Sequence, residues 1–406
     1  MAKSHFATAI DIGTSSIKVL AGQREKNSDK IVAVVKEEMA HSVGVRRGEI
    51  YDPLKVADHL LKLKQKVYEI HGINLKRALV NISGVHLVGI KSQGLVSVSR
   101  ADQKISEEDI KRVLQQASQA VTLPANTKIL EVVPQEFLVN GEGGIKNPLG
   151  LEGIRLEVKA LLICVFSPVF ENLEETMEEA EIEIEEVVPS FLASAKAVLK
   201  PEEEEVGVAV LEIGAATTSL SVFTEGVLRD FVVFPLGGAN LTNDLAVGLR
   251  IEIATAEELK KKYGSLEAAG KDKRKKKIVS SGEEAEKIFF SHKFLDKIVK
   301  TRLSEIFGEA NKALRKMAKE TNLPAGVVLS GGGSQLPGLL AFARRQFGLP
   351  VRLGQPQGVV GVTEPSFSVC AYLLSYGLTP LEKEKGGREV SVFKEKLKNF
   401  FRIFLP

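Results

Sequence analysis

Asp11, Gly13, Thr14, Ser15, Ser16 and Lys18 fall within eight positions of one another, between the apolar runs of AIDIGTSSIKVLAG. An acidic residue at a strand end, a glycine turn and a returning strand turn the following backbone N–H groups inward. With the neighbouring hydroxyls, these amides make an anion-binding concavity. Lys18 could add a point charge to a phosphate, and Asp11 could hold Mg²⁺ through water, as hard oxygen ligands do. The order returns in VLEIGAATTSLSVF, where Glu212, Gly214, Ala215, Ala216, Thr217 and Thr218 repeat it. Two such hairpins facing each other could hold a polyphosphate between them. A third glycine cluster, Gly331, Gly332, Gly333 and Ser334, ends the apolar run Val327–Ser330 and suits close approach of a base and ribose. Glu257 and Lys260, one helical turn apart, offer polar contacts to the same nucleoside.

The elements that must position these residues can be read from periodicity. FATAIDIG, SIKVLAGQ and KIVAVVKEEM predict a β-meander, and a helix follows from about Pro53 with Leu54, Ala57, Leu60, Leu61, Lys64 and Val67 at helical spacing. KRALVNISG returns to strand. Residues 85–163 have a different texture: two alternating runs (LVGIKSQGLVSVS and TKILEVVPQEFLV), one helix N-capped by Ser106, and a Gly/Asn/Pro loop, which together predict an inserted α+β module. The strand VKALLICVF then leads into a helix. The glutamates between 171 and 186 read as a solvated helix face plus a short strand. Pro201–Glu205 reads as a linker to a second half that repeats the first meander. That recurrence argues for duplication and two facing α/β domains.

Composition narrows the function. The 406 residues are 44% hydrophobic, enough for two or three globular units at roughly 150 residues each. Fifty-five Lys and Arg against 52 Asp and Glu are too balanced for a protein that coats nucleic acid. The basic run Lys271–Lys277 has no aromatics for base stacking and reads as a solvated loop. Cys164 and Cys370 sit apart in apolar segments, against a disulfide framework or a cysteine zinc site. The six histidines show no metal spacing. No apolar run reaches the ~18 residues of a membrane span. The end of the chain is different. Phe393, Leu397, Phe400 and Phe404 fall at i, i+4, i+7 and i+11, with Phe401 and Leu405 beside them. Lys394, Lys396, Lys398 and Arg402 face one Glu395. This pattern predicts a helix lying in a membrane interface. Burying those side chains yields on the order of 10 kcal/mol, and ordering some fifteen residues costs about as much. A single tail would therefore bind reversibly, and an array of tails strongly.

AIDIGTSSIKVLAG, VLEIGAATTSLSVF, LGGANLTNDLAVGLRIEIATAEELKKKYG and VVLSGGGSQLPGL, in that order, resemble the actin, heat-shock chaperone and sugar-kinase superfamily and, within it, the FtsA family of bacterial cell-division proteins. The resemblance covers essentially the whole chain. It implies an actin-like bilobal ATPase fold of duplicated ribonuclease-H-like domains. Residues 1–84 and 164–200 would form subdomain 1A, 85–163 the family's inserted subdomain 1C, 201–247 and 326–377 subdomain 2A, and 248–325 subdomain 2B. A linker, 378–390, would precede the membrane-targeting amphipathic helix, 391–406. The resemblance also implies ATP and Mg²⁺ at the residues above and at Gly238, with Asp11 and Glu212 toward the metal. The implied partners are FtsZ, other division proteins, further copies of the chain in protofilaments and an anionic membrane surface, but no nucleic acid. The place would be the cytoplasmic side of the cell membrane at the division septum, held peripherally.

The second phosphate motif departs from the family's DIGGGTTD: the chain has Glu212-Ile-Gly-Ala-Ala-Thr-Thr-Ser219. Ala215 and Ala216 place methyls where glycine allows positive φ and close approach, and Ser219 removes a carboxylate. Nucleotide binding with weak or absent ATPase activity is the expectation. A PilM-like scaffold of type IV pilus assembly shares the implied fold but would lack the amphipathic tail. An active phosphotransferase or chaperone ATPase would need an intact second phosphate loop.

Overall fold

The computed structural model describes residues 6–25, 30–40, 43–266, 276–279, 287–290, 292–317 and 322–379. The predicted terminal helix with Phe393 to Leu405, most of the linker before it and most of the basic run Lys271–Lys277 lie outside them.

The first sheet grows from the predicted meander. Strands Phe6–Ile12 and Ser16–Arg24 pair antiparallel with Ile12 opposite Ile17, and Ile31–Ala40 follows antiparallel. The first two strands are buried almost throughout, as apolar runs covered on both faces must be. Arg77–Ile82 and Glu183–Pro189 add in parallel beyond Phe6–Ile12, and the short strand Val359–Val360 closes the far edge. Helix Ser368–Gly377 packs on the same sheet through Val369, Cys370, Leu373 and Leu374, so residues 359–377, expected in subdomain 2A, belong with the first lobe. The second sheet repeats this plan. Val208–Ile213, Thr218–Thr224 and Val227–Phe234 form the antiparallel meander, and Val327–Ser330 and Val351–Leu353 add in parallel. Apart from the extra edge strand, both sheets have the order third, second, first, fourth, fifth with matching strand senses. This is the duplication that the repeated hairpin predicted.

The helix from Pro53 runs to His71. Asp52 accepts from the Lys55 N–H at 3.2 Å, Pro53 takes the first turn and Gly72 ends the helix at φ 67°. Its buried stripe is Val56, Ala57, Leu60, Leu63 and Val67, which stabilises the first lobe by roughly 10 kcal/mol. Leu54 and Leu61, read as part of that face, are exposed, because the core meets the helix on the side carrying Val56 and Leu63. Pro201–Glu205 is not a free linker. Pro201–Val206 is a short helix, favoured by proline at its start and glutamates in its first turn. Glu203 pairs with Arg352, and Glu204 with Lys196. The acidic run is helix Ser167–Glu179 followed by strand Glu183–Pro189, as read.

The inserted module is a four-stranded antiparallel sheet ordered Val88–Ser97, Arg155–Phe166, Thr127–Val139, Glu142–Ile145. Helix Glu107–Gln119 lies on it and buries Ile110, Val113, Leu114 and Ala117. Ser106 and Asp109 form a reciprocal capping box at its start. Gly94 makes the close packing possible: a methyl there would stand 2.1 Å from the Val113 carbonyl oxygen. Helices Gly238–Leu249, Ile253–Tyr263, His292–Met317 and Leu339–Phe347 supply the core of the second lobe.

Candidate nucleotide site

The two predicted hairpins turn in the same way. Gly13 N–H donates to the Ser16 carbonyl at 3.0 Å, and Gly214 N–H to the Thr217 carbonyl at 2.8 Å. Thr14-Ser15 and Ala215-Ala216 are the two-residue loops. None of these turn residues has a positive φ. Ala215 and Ala216 therefore carry no left-handed backbone penalty, contrary to expectation: the turn does not need glycine's freedom there. The demand falls on Gly13 and Gly214, where a methyl would sit 3.0 and 2.9 Å from the carbonyl oxygen across the turn.

Register places the acidic residues. Asp11 faces Lys18 across the first hairpin, and their side chains meet at 3.5 Å, both largely buried. Burial pushes the Asp11 carboxyl up against the pull of Lys18. Burial opposes the Lys18 ammonium, but the Asp11 carboxylate and Glu38 outweigh it and keep the lysine charged. In the second hairpin the equivalent pair is Glu212 and Ser219. The Ser219 hydroxyl donates to Glu212 Oε2 at 3.0 Å. Burial raises the Glu212 carboxyl to about 7, and the nearby Asp11 charge adds to the rise. The two lobes thus bring two carboxylates and one lysine into electrostatic reach.

The remaining predicted residues gather on the second hairpin. Gly238 and Ala239, at the start of helix Gly238–Leu249, donate their N–H groups to the Gly214 and Ala215 carbonyls at 2.9 and 2.6 Å. Lys260 Nζ reaches the Gly238 carbonyl at 3.1 Å and Glu257 at 2.6 Å. Gly331, at φ 78°, packs on the end of strand Val208–Ile213, where a methyl would stand 2.6 Å from the Ile213 carbonyl oxygen. Gly332 has open space beside it, its nearest neighbour to an added methyl being Ser366 Cβ at 3.8 Å. A short 3₁₀ turn, Gly332–Gln335, separates the cluster from helix Leu339–Phe347. Three hydroxyls are already engaged: Thr218 donates to Leu236, Ser334 to Gly331, and Thr14 accepts from Gly48 N–H at 2.9 Å. Ser15 is exposed and Thr217 half-buried at the loops.

Several residues that hold the site were not found by sequence reasoning. Asn81 is buried, accepts from Ile12 N–H at 2.7 Å and donates to Ser190 at 2.8 Å, which fixes the strand end next to Asp11. Ser194 and Ser330 meet at 2.8 Å, and Ser330 donates to Ser368 at 3.2 Å, so buried hydroxyls join the two lobes beneath Glu212. Gly237 also matters: a methyl there would stand 2.6 Å from the Ala215 carbonyl oxygen.

Comparison with known proteins identifies the frame. The model of the cell division protein FtsA family matches residues 209–371, and that of the SHS2 domain inserted in FtsA matches 84–164. The chain is 33% identical over 391 residues to the cell division protein FtsA of Pseudomonas aeruginosa, covering 94% of this chain and 91% of that one. The chain belongs to the FtsA family. The FtsA of Bacillus subtilis is 31% identical, with coverage of 93% and 84%. Among solved structures, a PilM–PilN type IV pilus biogenesis complex superposes with TM-score 0.66 at 18% identity, covering 92% of this chain and 99% of that one. MreB5 of Spiroplasma citri bound to AMPPNP gives 0.52 at 14%, covering 99% and 100%. At such identities these two establish the actin-like fold alone, so the pilus-scaffold alternative draws no functional support from its neighbour. The four-stranded module lies where the FtsA family carries its SHS2 insertion.

No group of three or more metal-ligating side chains occurs among the described residues. The donor set nevertheless fits a Mg²⁺ that arrives with phosphates. Such an ion takes only one or two protein carboxylates, and Asp11 and Glu212 stand at corresponding strand ends of the two hairpins, near enough for the Asp11 charge to be felt at Glu212. When bound, the metal would neutralise phosphate charge. Asp11 and Glu212 are the residues that would face it.

Proposed function

We propose that this FtsA-family protein binds ATP between its two hairpins, self-associates into protofilaments and tethers FtsZ filaments to the cytoplasmic face of the membrane through its terminal segment. The observation that carries the reading is the paired hairpin turn with Asp11–Lys18 on one lobe and Glu212–Ser219 on the other, in a chain that matches FtsA relatives over nearly its whole length. The nucleotide analogue held by the MreB5 neighbour supports a nucleotide in the same fold. Hydrolysis is weak or absent in this reading. Ser219, where the family motif has a carboxylate, spends its hydroxyl on Glu212, and Lys18 is committed to Asp11. Among the described residues no helix is long and apolar enough to cross a membrane, so attachment would rest on the basic aromatic segment Phe393–Leu405.

The test is co-sedimentation of the full chain, and of a chain lacking Val390 onward, with anionic liposomes, with and without FtsZ and ATP. The full chain should carry FtsZ onto the vesicles and the truncated one should leave it in solution. Equal sedimentation of both forms overturns the tether. Steady, metal-dependent ATP turnover would overturn the weak-hydrolysis reading.

A further inference from the structure

The first lobe carries a groove that the nucleotide reading does not use. It holds about 380 Å³ between helix Ser167–Glu179 and strand Glu183–Pro189. Met177 and Ile182 form a buried apolar floor, Ile184 lies beside them, and Glu174, Glu178, Glu181 and Glu183 surround it. Glu181 reaches Lys64 at 3.5 Å, whereas Glu174, Glu178 and Glu183 have no ion-pair partner among the described residues. An apolar floor inside uncompensated carboxylates favours an aromatic side chain flanked by cations.

The chain contains such a segment within reach. Four basic residues and four phenylalanines occupy Phe393 to Phe404. The last described residues leave the fold at one end of the strands of the first sheet. Arg24 Nε donates to the Leu378 carbonyl at 3.0 Å. Arg24 ends the strand whose Gln23 faces Phe6, and the parallel neighbours beyond Phe6–Ile12 begin at Arg77 and Glu183, which are paired with each other. Glu183 therefore lies at the same end of the first sheet as Arg24, three strand spacings or about 14 Å across it. The twelve residues from Thr379 to Val390 span up to about 40 Å when extended. Such a tether holds the segment at about millimolar effective concentration. The other exposed apolar stripe nearby, Leu54, Leu61 and Tyr68, gives no opposite charge, since Lys55, Lys62 and Lys66 beside it are already paired with carboxylates.

We propose that the protein's own basic aromatic segment, residues 390–406, docks in the groove between helix Ser167–Glu179 and strand Glu183–Pro189 when it is not on a lipid surface. Groove and anionic lipid then compete for the same face, and a chain off the membrane keeps its phenylalanines covered. The lipid half of the competition rests on the tethering reading above; the docking itself does not.

Hydrogen exchange in lipid-free solution tests the docking. Peptides covering 174–184 should exchange several-fold faster in the chain lacking Val390 onward than in the full chain. A synthetic 390–406 peptide should restore protection to the truncated chain. The full chain carrying Glu174→Lys, Glu178→Lys and Glu183→Lys, with its melting curve checked, should exchange like the truncated one and bind anionic vesicles several-fold more tightly. Identical exchange with and without the tail overturns the proposal, as does peptide protection undiminished by the triple substitution. Protection that grows with protein concentration would assign the groove to a second copy's tail and overturn docking within one chain. A full chain that ignores vesicles would remove the tether reading, while the exchange comparison would still decide the docking.

Discussion

Asp11 and Glu212 occupy equivalent places in two copies of one hairpin, yet their cross-strand partners differ: a lysine for one, a serine for the other. The difference sets their titration. Asp11 has a full positive charge at 3.5 Å, whereas Glu212 has only the hydroxyls of Ser219 and Ser194 and a second carboxylate nearby, and burial carries it to about 7. A folded-state value above the ordinary 4.5 means that the folded protein binds the proton more tightly than the unfolded chain. Glu212's contribution is complete below about pH 4.5 and is lost as pH rises through 7. The carboxyl keeps partial exposure, so the loss is about 1–2 kcal/mol, less than a fully enclosed group would give. Between pH 5 and 8, Glu212→Gln should flatten the decline in urea-unfolding stability by that amount. An unchanged pH slope would contradict the assignment. The serine partner is not visible as such in the sequence: Ser219 reads there only as a lost carboxylate, and its role depends on a register that pairing alone fixes.

At the scale of elements, glycine and alternation are local signals, and what they encode was legible. The two meanders, the capped helices and the third glycine cluster stand where their patterns put them. Elements whose conformation depends on neighbours were less so. Pro201–Glu205 has a linker's composition, but Arg352 and Lys196 hold it as a helix. The buried face of helix Pro53–His71 was displaced because Leu54 and Leu61 are as apolar as the residues the core selects. Gly237 shows the same limit. Only its neighbour Gly238 was assigned, since the need for glycine comes from the Ala215 carbonyl, which is distant in sequence. Gly237→Ala should force helix Gly238–Leu249 off the second turn at a cost of about 2–3 kcal/mol. Thermal melts should then show a lower midpoint and no stabilisation by added ATP. A variant still stabilised by ATP would show that the helix start does not shape the site.

Across the whole molecule, the lobes are joined beneath the site by Ser194, Ser330 and Ser368, hydroxyls contributed by a helix of the first lobe, a strand of the second and a helix of the first. Ser194 and Ser330 are 136 residues apart, and no periodicity links them. Ser330→Ala removes the hydroxyl that Ser194 and Ser368 share, although Ser194 still reaches Glu212 and Ser368 still donates to the Pro365 carbonyl, and should cost about 1 kcal/mol. Hydrogen exchange should rise together in 190–198 and 368–377, on the other lobe from the substitution. A rise confined to 327–330 would mean that the hydroxyls fill space without coupling the lobes.

The grip of Arg24 on the Leu378 carbonyl also has a mechanical side. Load on the residues beyond Thr379 enters through the backbone of helix Ser368–Gly377, and the Arg24 hydrogen bond ties the end of that helix to strand Ser16–Arg24. The ladder bonds of that strand to Phe6–Ile12 and Ile31–Ala40 run across its axis, so a pull directed along the strand would shear them together instead of opening them one at a time. The strand that carries Lys18 would then share the load, and a pull strong enough to shift it would displace the lysine from Asp11.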